Sequence, residues 1–354
     1  MPCSCCPTAD GRQSRGMDAS PTKAAGMPEP MPCRPLRVVV AGGTGTIGRA
    51  TVAALVLRGH RVLCLTRPDR PSSSGLPAGI DTCRFDPVGP DDNHRTWLEG
   101  GPVDAVISCM ASRTGVPADA WAVDHAANLA LLNAAQRAGA AHFVLLSAIC
   151  VQRPLLAFQH AKLAFEAELM ASGLAWSIVR PTAFFKSLSG QIGRVRAGKP
   201  FLLFGDGTLT ACKPISDRDL ARYLVDCLSN PDRTNRILPI GGPGPARTPR
   251  DQGMALFDLL GMTPRFRSVP PGLLSAIASG LGMAGRMFPA LAAKAELARI
   301  GHYYATQSML VLNPQTGRYD ADATPETGTD TLIGHYRSVI EGRASAERGD
   351  HAVF

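Results

Sequence analysis

Residues 37–41 read Arg-Val-Val-Val-Ala, an apolar β-branched run that stops at a glycine-rich turn. A short run of this kind, bounded by glycine, predicts a strand buried on both faces. Helical spacing follows in the Ala-rich segment Arg49–Arg58, and the strand pattern returns in Arg61–Thr66. Further strands are predicted at Cys83–Asp86, Val103–Met110, His142–Ser147 and Trp176–Arg180, the last ending at Pro181. Helices are predicted at Trp121–Ala138 and Leu155–Ala171, then a helix over Asp217–Leu228 and a strand over Ile237–Gly241. Strands alternating with helices over this length predict an α/β fold with a doubly wound parallel sheet. In Pro270–Leu297, Leu274, Ile277, Leu281, Met287, Leu291 and Ala295 recur at roughly helical spacing. That pattern reads as a core-facing helix pair, some of whose side chains reach a pocket.

The turn after the first strand carries Gly42, Thr44, Gly45, Thr46, Ile47 and Gly48. Glycines at this junction let the backbone turn tightly against a pyrophosphate, while the helix N-terminus offers unpaired N–H groups to the anion. The predicted sheet is therefore of the NAD(P)-binding Rossmann type. Its second strand ends in Arg67, where an acid would hold a ribose 2′-hydroxyl; an arginine pairs with a 2′-phosphate, so NADPH is the expected cofactor. Asp86, at the end of the third strand, is a candidate adenine contact. Ligands bind at the carboxyl ends of such strands, where Gly42–Gly48, Ser108–Ala111, Ser147 and Pro181–Lys186 fall.

With 354 residues and 45% hydrophobic content, the chain can bury a full core and an appended substrate region. The organisation predicted is a disordered tail over 1–35, a dinucleotide-binding domain over 36–244 with 182–216 contributing to the substrate cleft, a smaller composite substrate or lid region over 245–345, and a flexible 346–354. The tail carries Cys3, Cys5, Cys6 and Cys33 in poor metal spacing, offers Met17, Met27 and Met31 as alternative starts, and lacks the pattern of a signal peptide. No metal site is expected. The six remaining cysteines read as reduced residues of a cytoplasmic protein. The longest apolar stretch, Pro270–Ala293, is broken by Gly, Pro and Arg286, so no transmembrane span is expected. The formal charge is +8, yet no interleaved aromatic and basic patches point to nucleic acid. Six lysines stand among 37 basic residues, and four of them, Lys162, Lys186, Lys199 and Lys213, fall in one window. Where composition favours arginine, retained lysines mark positions that need a compact charge.

Ser147 is followed by Phe158-Gln159-His160-Ala161-Lys162. This resembles a short-chain dehydrogenase/reductase active site, Ser…Tyr-x-x-x-Lys, with phenylalanine in place of the tyrosine. A phenyl ring neither gives nor takes a proton, so carbonyl reduction loses its general acid. Either something other than a carbonyl is reduced, or no chemistry occurs. The segments Ser147–Pro154, Phe158–Met170, Arg180–Ser187, Phe204–Gly207, Ala211–Ser216, Leu238–Gly244 and Ile300–Tyr304 with Ser308–Leu312 then closely resemble the NADPH-dependent divinyl (proto)chlorophyllide 8-vinyl reductases. The likeness runs from about residue 36 to 340.

The resemblance implies reduction of the 8-vinyl group of a magnesium divinyl chlorin or porphyrin to ethyl during chlorophyll or bacteriochlorophyll synthesis. Hydride addition to a conjugated vinyl leaves a delocalised carbanion, which needs no phenol at position 158. It implies Lys162 at the nicotinamide ribose, beside Ser147 and Pro181, and Lys186 and Lys213 as candidates for a propionate carboxylate or for developing negative charge. The proton donor stays open between a lysine, Cys150, Ser147 and water. Other readings are a non-catalytic NADP-sensing or scaffold protein on the same fold, and an ene-reductase for another conjugated substrate. The missing Ser-rich leader points to a bacterial phototroph, with the protein cytoplasmic and a peripheral membrane contact as an option. Oligomeric state is not set by the sequence.

Overall fold

The computed structural model describes residues 34–67, 75–87, 93–285 and 288–344. The N-terminal cysteines, the alternative start methionines, Arg286, Met287 and the C-terminal 346–354 lie outside them. The described residues from Pro35 onward belong to one compact unit.

The alternation expected in the first half of the chain is present. β1 (Arg37–Ala41) leads through the glycine turn into α1 (Thr46–Leu57) and β2 (Arg61–Thr66); β3 (Asp81–Arg84), α2 (Asn93–Leu98) and β4 (Ala105–Ser108) follow. Next come α3 (Pro117–Ala120), a π-helical stretch over Trp121–Ala127, α4 (Asn128–Arg137), β5 (His142–Leu146), α5 (Ala157–Ala171) and β6 (Ala175–Pro181). After the short α6 (Phe185–Leu188) and α7 (Ile192–Arg196) stand β7 (Phe201–Phe204), α8 (Asp217–Asp226) and β8 (Arg236–Ile240). The remainder comprises α9 (Pro249–Leu260), β9 (Phe266–Val269), α10 (Pro271–Gly285), α11 (Pro289–Thr306), the short strands β10 (Val311–Leu312) and β11 (Tyr319–Asp320), and α12 (Leu332–Ile340).

Seven strands form one parallel sheet in the order β3-β2-β1-β4-β5-β6-β8. β1 lies inside it between β2 and β4 and is buried throughout, as its unbroken apolar run requires. Its side chains alternate. Val38 and Val40 face a layer made by α1 and α8, whereas Val39 and Ala41 face α4 and α5. The later segments join in differently. α6, α7, β7, α9 and α12 share one apolar cluster around Phe201, Phe257 and Tyr336, so residues 185–203, 256–266 and 332–340 pack together. β7 pairs with β9, and β10 with β11.

Several predicted boundaries shift, two of them for evident local reasons. The strand expected over Val103–Met110 keeps only Ala105–Ser108, because after Ser108 pairs with Ala41 the Cys109 N–H makes the final bond and the chains diverge at Gly42. The helix expected from Trp121 begins at Pro117, whose ring suits a first helical position. It then passes through the π-helical stretch before regaining regular form.

Candidate active site

The glycine turn is fixed by close backbone approaches. Gly42 has φ of +75°, and a Cβ on it would stand 2.7 Å from the Cys109 carbonyl carbon. A Cβ on Gly48 would stand 2.1 Å from the Gly42 oxygen. At Gly45 an added Cβ would meet only the Gly42 oxygen, at 3.3 Å. Gly45 is the N-cap of α1, with no side-chain cap and no acidic residue in the first turn. A helix start left without its own acceptor, beside glycines that admit close approach, fits a dinucleotide pyrophosphate. Arg67 and Asp86 are both exposed, just beyond the carboxyl ends of β2 and β3.

Lys186, expected near the substrate, reaches this turn instead. Its Nζ donates to Thr46 Oγ1 at 2.8 Å, joining α6 to the first turn of α1. Asp217, at the start of α8, lies near Lys186 and Arg49; burial pushes its carboxyl upward. Its buried Oδ1 has no hydrogen-bond partner among the described residues.

Lys162 and Glu166 lie one turn apart on α5, and each is buried against a different partner. Lys162 Nζ stands 2.9 Å from Asp124 Oδ1, with side-chain exposures of 10% and 0%. Asp124 belongs to the π-helical stretch; its Oδ1 also accepts the Ser112 N–H, while its buried Oδ2 has no partner among the described residues. Asn128 holds that stretch to β4, accepting the Ser108 hydroxyl at 2.6 Å and donating to the Val123 and Asp124 carbonyls. Such single-turn widenings in helices are frequent at functional sites. Glu166 is ion-paired to Arg180 at the end of β6 and accepts the Ser147 hydroxyl at 2.5 Å. Ser147 is thereby turned onto Glu166, and its N–H is held by the Val179 carbonyl at 2.7 Å.

Phe158 sits in the first turn of α5 in an apolar cluster with Ala148, Cys150, Ala183, Ile300, Tyr303 and Tyr304. Gln159 fastens this corner. Its Oε1 accepts the Leu155 and Leu156 N–H groups, and its Nε2 donates to the Cys150 carbonyl at 3.1 Å. Burial pushes the Cys150 thiol up. Pro181 is buried at the end of β6, and Thr182 donates to the Lys213 carbonyl. Lys213 points to the C-terminal segment: Nζ donates to the Thr324 carbonyl at 3.1 Å and stands 3.6 Å from Glu326 Oε2.

The structure thus brings Ser147, Lys162, Pro181 and Phe158 to one corner and Thr46 and Lys186 to another, with Lys213 held apart by its own partners. Asp124, Glu166 and Tyr304 escaped the sequence reading. Glu166 had a signal, standing four residues after Lys162; Asp124 had only its place as a lone acid in an alanine-rich helix. Among the described residues no group of His, Cys, Asp or Glu could hold a metal ion, and no helix is long and apolar enough to cross a membrane.

A family profile described as NAD(P)H-binding matches residues 42–231. The chain is 47% identical over 337 residues to the chloroplastic divinyl chlorophyllide a 8-vinyl-reductase of Cucumis sativus, covering 90% of this chain and 79% of the relative. It is 46% identical over 351 residues to the enzyme of the same name from Zea mays, covering 95% and 87%. Among solved structures it is similar to a UDP-glucose 4-epimerase from Thermotoga maritima, with a TM-score of 0.63, 16% identity, and 87% and 99% of the two chains covered. That likeness is one of fold. The plant relatives correct one expectation. Both are chloroplastic, which overturns the placement in the cytoplasm of a bacterial phototroph; that placement leaned on the composition of the first residues, which says nothing of what the rest of the chain resembles.

Proposed function

The chain belongs to the NAD(P)H-binding family and to the divinyl chlorophyllide a 8-vinyl-reductases, and from that membership we infer that it reduces the 8-vinyl group of divinyl chlorophyllide or protochlorophyllide to ethyl in chlorophyll or bacteriochlorophyll synthesis. The observation that carries this is identity near one half along nine-tenths of the chain. Relatives that are reductases over their whole matched length disfavour a cofactor sensor or a scaffold.

Bound NADPH supplies the hydride. The first turn of α1, with Thr44, Thr46 and Ile47, would hold the pyrophosphate, and Lys186 would close over it from α6. This reading is supported by the 2.8 Å Lys186–Thr46 bond, which a phosphate oxygen between them would replace with two charge-assisted contacts. Arg67 takes the 2′-phosphate and Asp86 the adenine side. Lys162 faces the nicotinamide ribose, oriented by Asp124, whose spare Oδ2 can take a further donor. Ser147 acts through Glu166, fixing the end of β5 against Arg180. The pyrrolidine of Pro181 backs the nicotinamide.

The magnesium tetrapyrrole would lie over the carboxyl ends of β5 and β6, beside residues 182–216 and the described part of the C-terminal region. Holding vinyl group and hydride donor in register supplies a large share of the barrier reduction. Exposed Leu273, Ile277, Met283, Phe288 and Leu297 on and between α10 and α11 support a peripheral contact with a membrane in which such pigments partition. The test is direct: purified protein with NADPH and divinyl chlorophyllide or protochlorophyllide should blue-shift the Soret band. An unchanged band with NADPH bound would overturn the assignment in favour of the sensor.

A further inference from the structure

Around the ends of β5 and β6 the hydroxyl groups are committed. Ser147 donates to Glu166, Thr182 to the Lys213 carbonyl, and Tyr303 to the carbonyls of Cys150 at 2.8 Å and Arg153 at 3.1 Å. Tyr304 differs. It stands on α11 one turn beyond Ile300, so the two share a helix face. Ile300 covers Phe158: a Cβ built on Gly115 would stand 2.5 Å from Ile300 Cδ1 and 4.0 Å from Phe158 Cδ1. Tyr304 packs in the same cluster as Phe158, Ala148 and Ala183, and the two alanines adjoin the ends of β5 and β6. Its ring lies edge-on to Tyr303 at 5.7 Å, and its hydroxyl is bonded to the Cys150 thiol, a polarisable and weak partner. Tyr304 as a residue is half-buried.

Resting on the reductase reading above, we infer that Tyr304 is the proton donor of the vinyl reduction, a phenol brought from the far end of the chain to the cluster where Phe158 lacks one. In the step the Tyr304 O–H bond breaks and its electron pair stays on oxygen. The electron pair of the substrate carbanion forms the second new C–H bond. NADPH is the two-electron reductant, the C=C bond is reduced, and water reprotonates the phenolate. Burial holds the phenol well above its ordinary pKa, so the donor form persists at neutral and mildly alkaline pH.

Tyr304→Phe keeps the ring and removes only the hydroxyl. Its kcat should fall by about 10²–10⁴-fold, the range of a lost general acid, with a larger solvent deuterium isotope effect. Pigment affinity measured without NADPH should be unchanged. Adding Phe158→Tyr to this variant should restore part of the rate, because both rings occupy one cluster. A fall below about threefold, or a matching loss of pigment binding without cofactor, would overturn the assignment. If wild-type protein fails to reduce the pigment, the reductase reading falls and takes this one with it; if wild type and Tyr304→Phe reduce it equally, only this one falls.

Discussion

The two ends of the crevice are built by different means. At the glycine turn the shape is set by missing side chains: Gly42 and Gly48 sit where any Cβ would strike backbone, and all the contacts lie within one strand–turn–helix and the neighbouring strand. At the corner around Lys162 the shape is set by charged side chains in pairs, Lys162 with Asp124 and Glu166 with Arg180, roofed by α11 from nearly 150 residues downstream. The first end can hold an anion as a property of local backbone. The second depends on partners that the sheet order brings together. Damage to the second should therefore spread, while damage to the first should stay with the cofactor.

Glu166→Gln gives the sharpest test. It leaves Arg180 with an uncompensated charge, and breaking a buried pair in this way costs about 3–5 kcal/mol. The lower part of that range is expected, since Arg180 keeps 14% side-chain exposure. A thermal melt should show a large drop, and Glu166→Leu with Arg180→Met should recover much of it. A wild-type melting temperature for Glu166→Gln would break the comparison.

Lys186→Ala should be milder and confined to the cofactor. Losing one charge-assisted contact weakens NADPH by about 1.5–3 kcal/mol, read by fluorescence titration, with the pigment KM and the melt close to wild type. A raised pigment KM with NADPH affinity intact would return Lys186 to the substrate side.

Lys213→Ala should have the smallest effect. Its partner Glu326 is 51% exposed, so the pair is worth less than about 1 kcal/mol. NADPH and pigment constants should both hold. A selective rise in the pigment KM would show that Lys213 leaves Glu326 for a propionate when substrate binds.

The parallel sheet, the glycine turn and the Ser147–Lys162 spacing were legible in the sequence because each is local: a run of β-branched residues, a turn only glycine can make, a helix register. The absent tyrosine at Phe158 was legible for the same reason, and it correctly turned attention away from carbonyl chemistry. What the sequence could not determine was where long side chains end. Lys186 and Lys213 read alike as clustered lysines, yet one reaches Thr46 across 140 residues and the other meets Thr324 and Glu326 more than 110 residues away. Asp124 and Glu166 carried no role in the sequence, and Arg180 only a place in a strand and a motif, until the sheet order buried them in pairs. Tyr304 belonged to a motif with no assigned role until α11 folded back over Phe158. Backbone conformation follows from sterics between near neighbours and can be read along the chain. Pairing of distant side chains follows from strand order and packing, which only the tertiary structure decides.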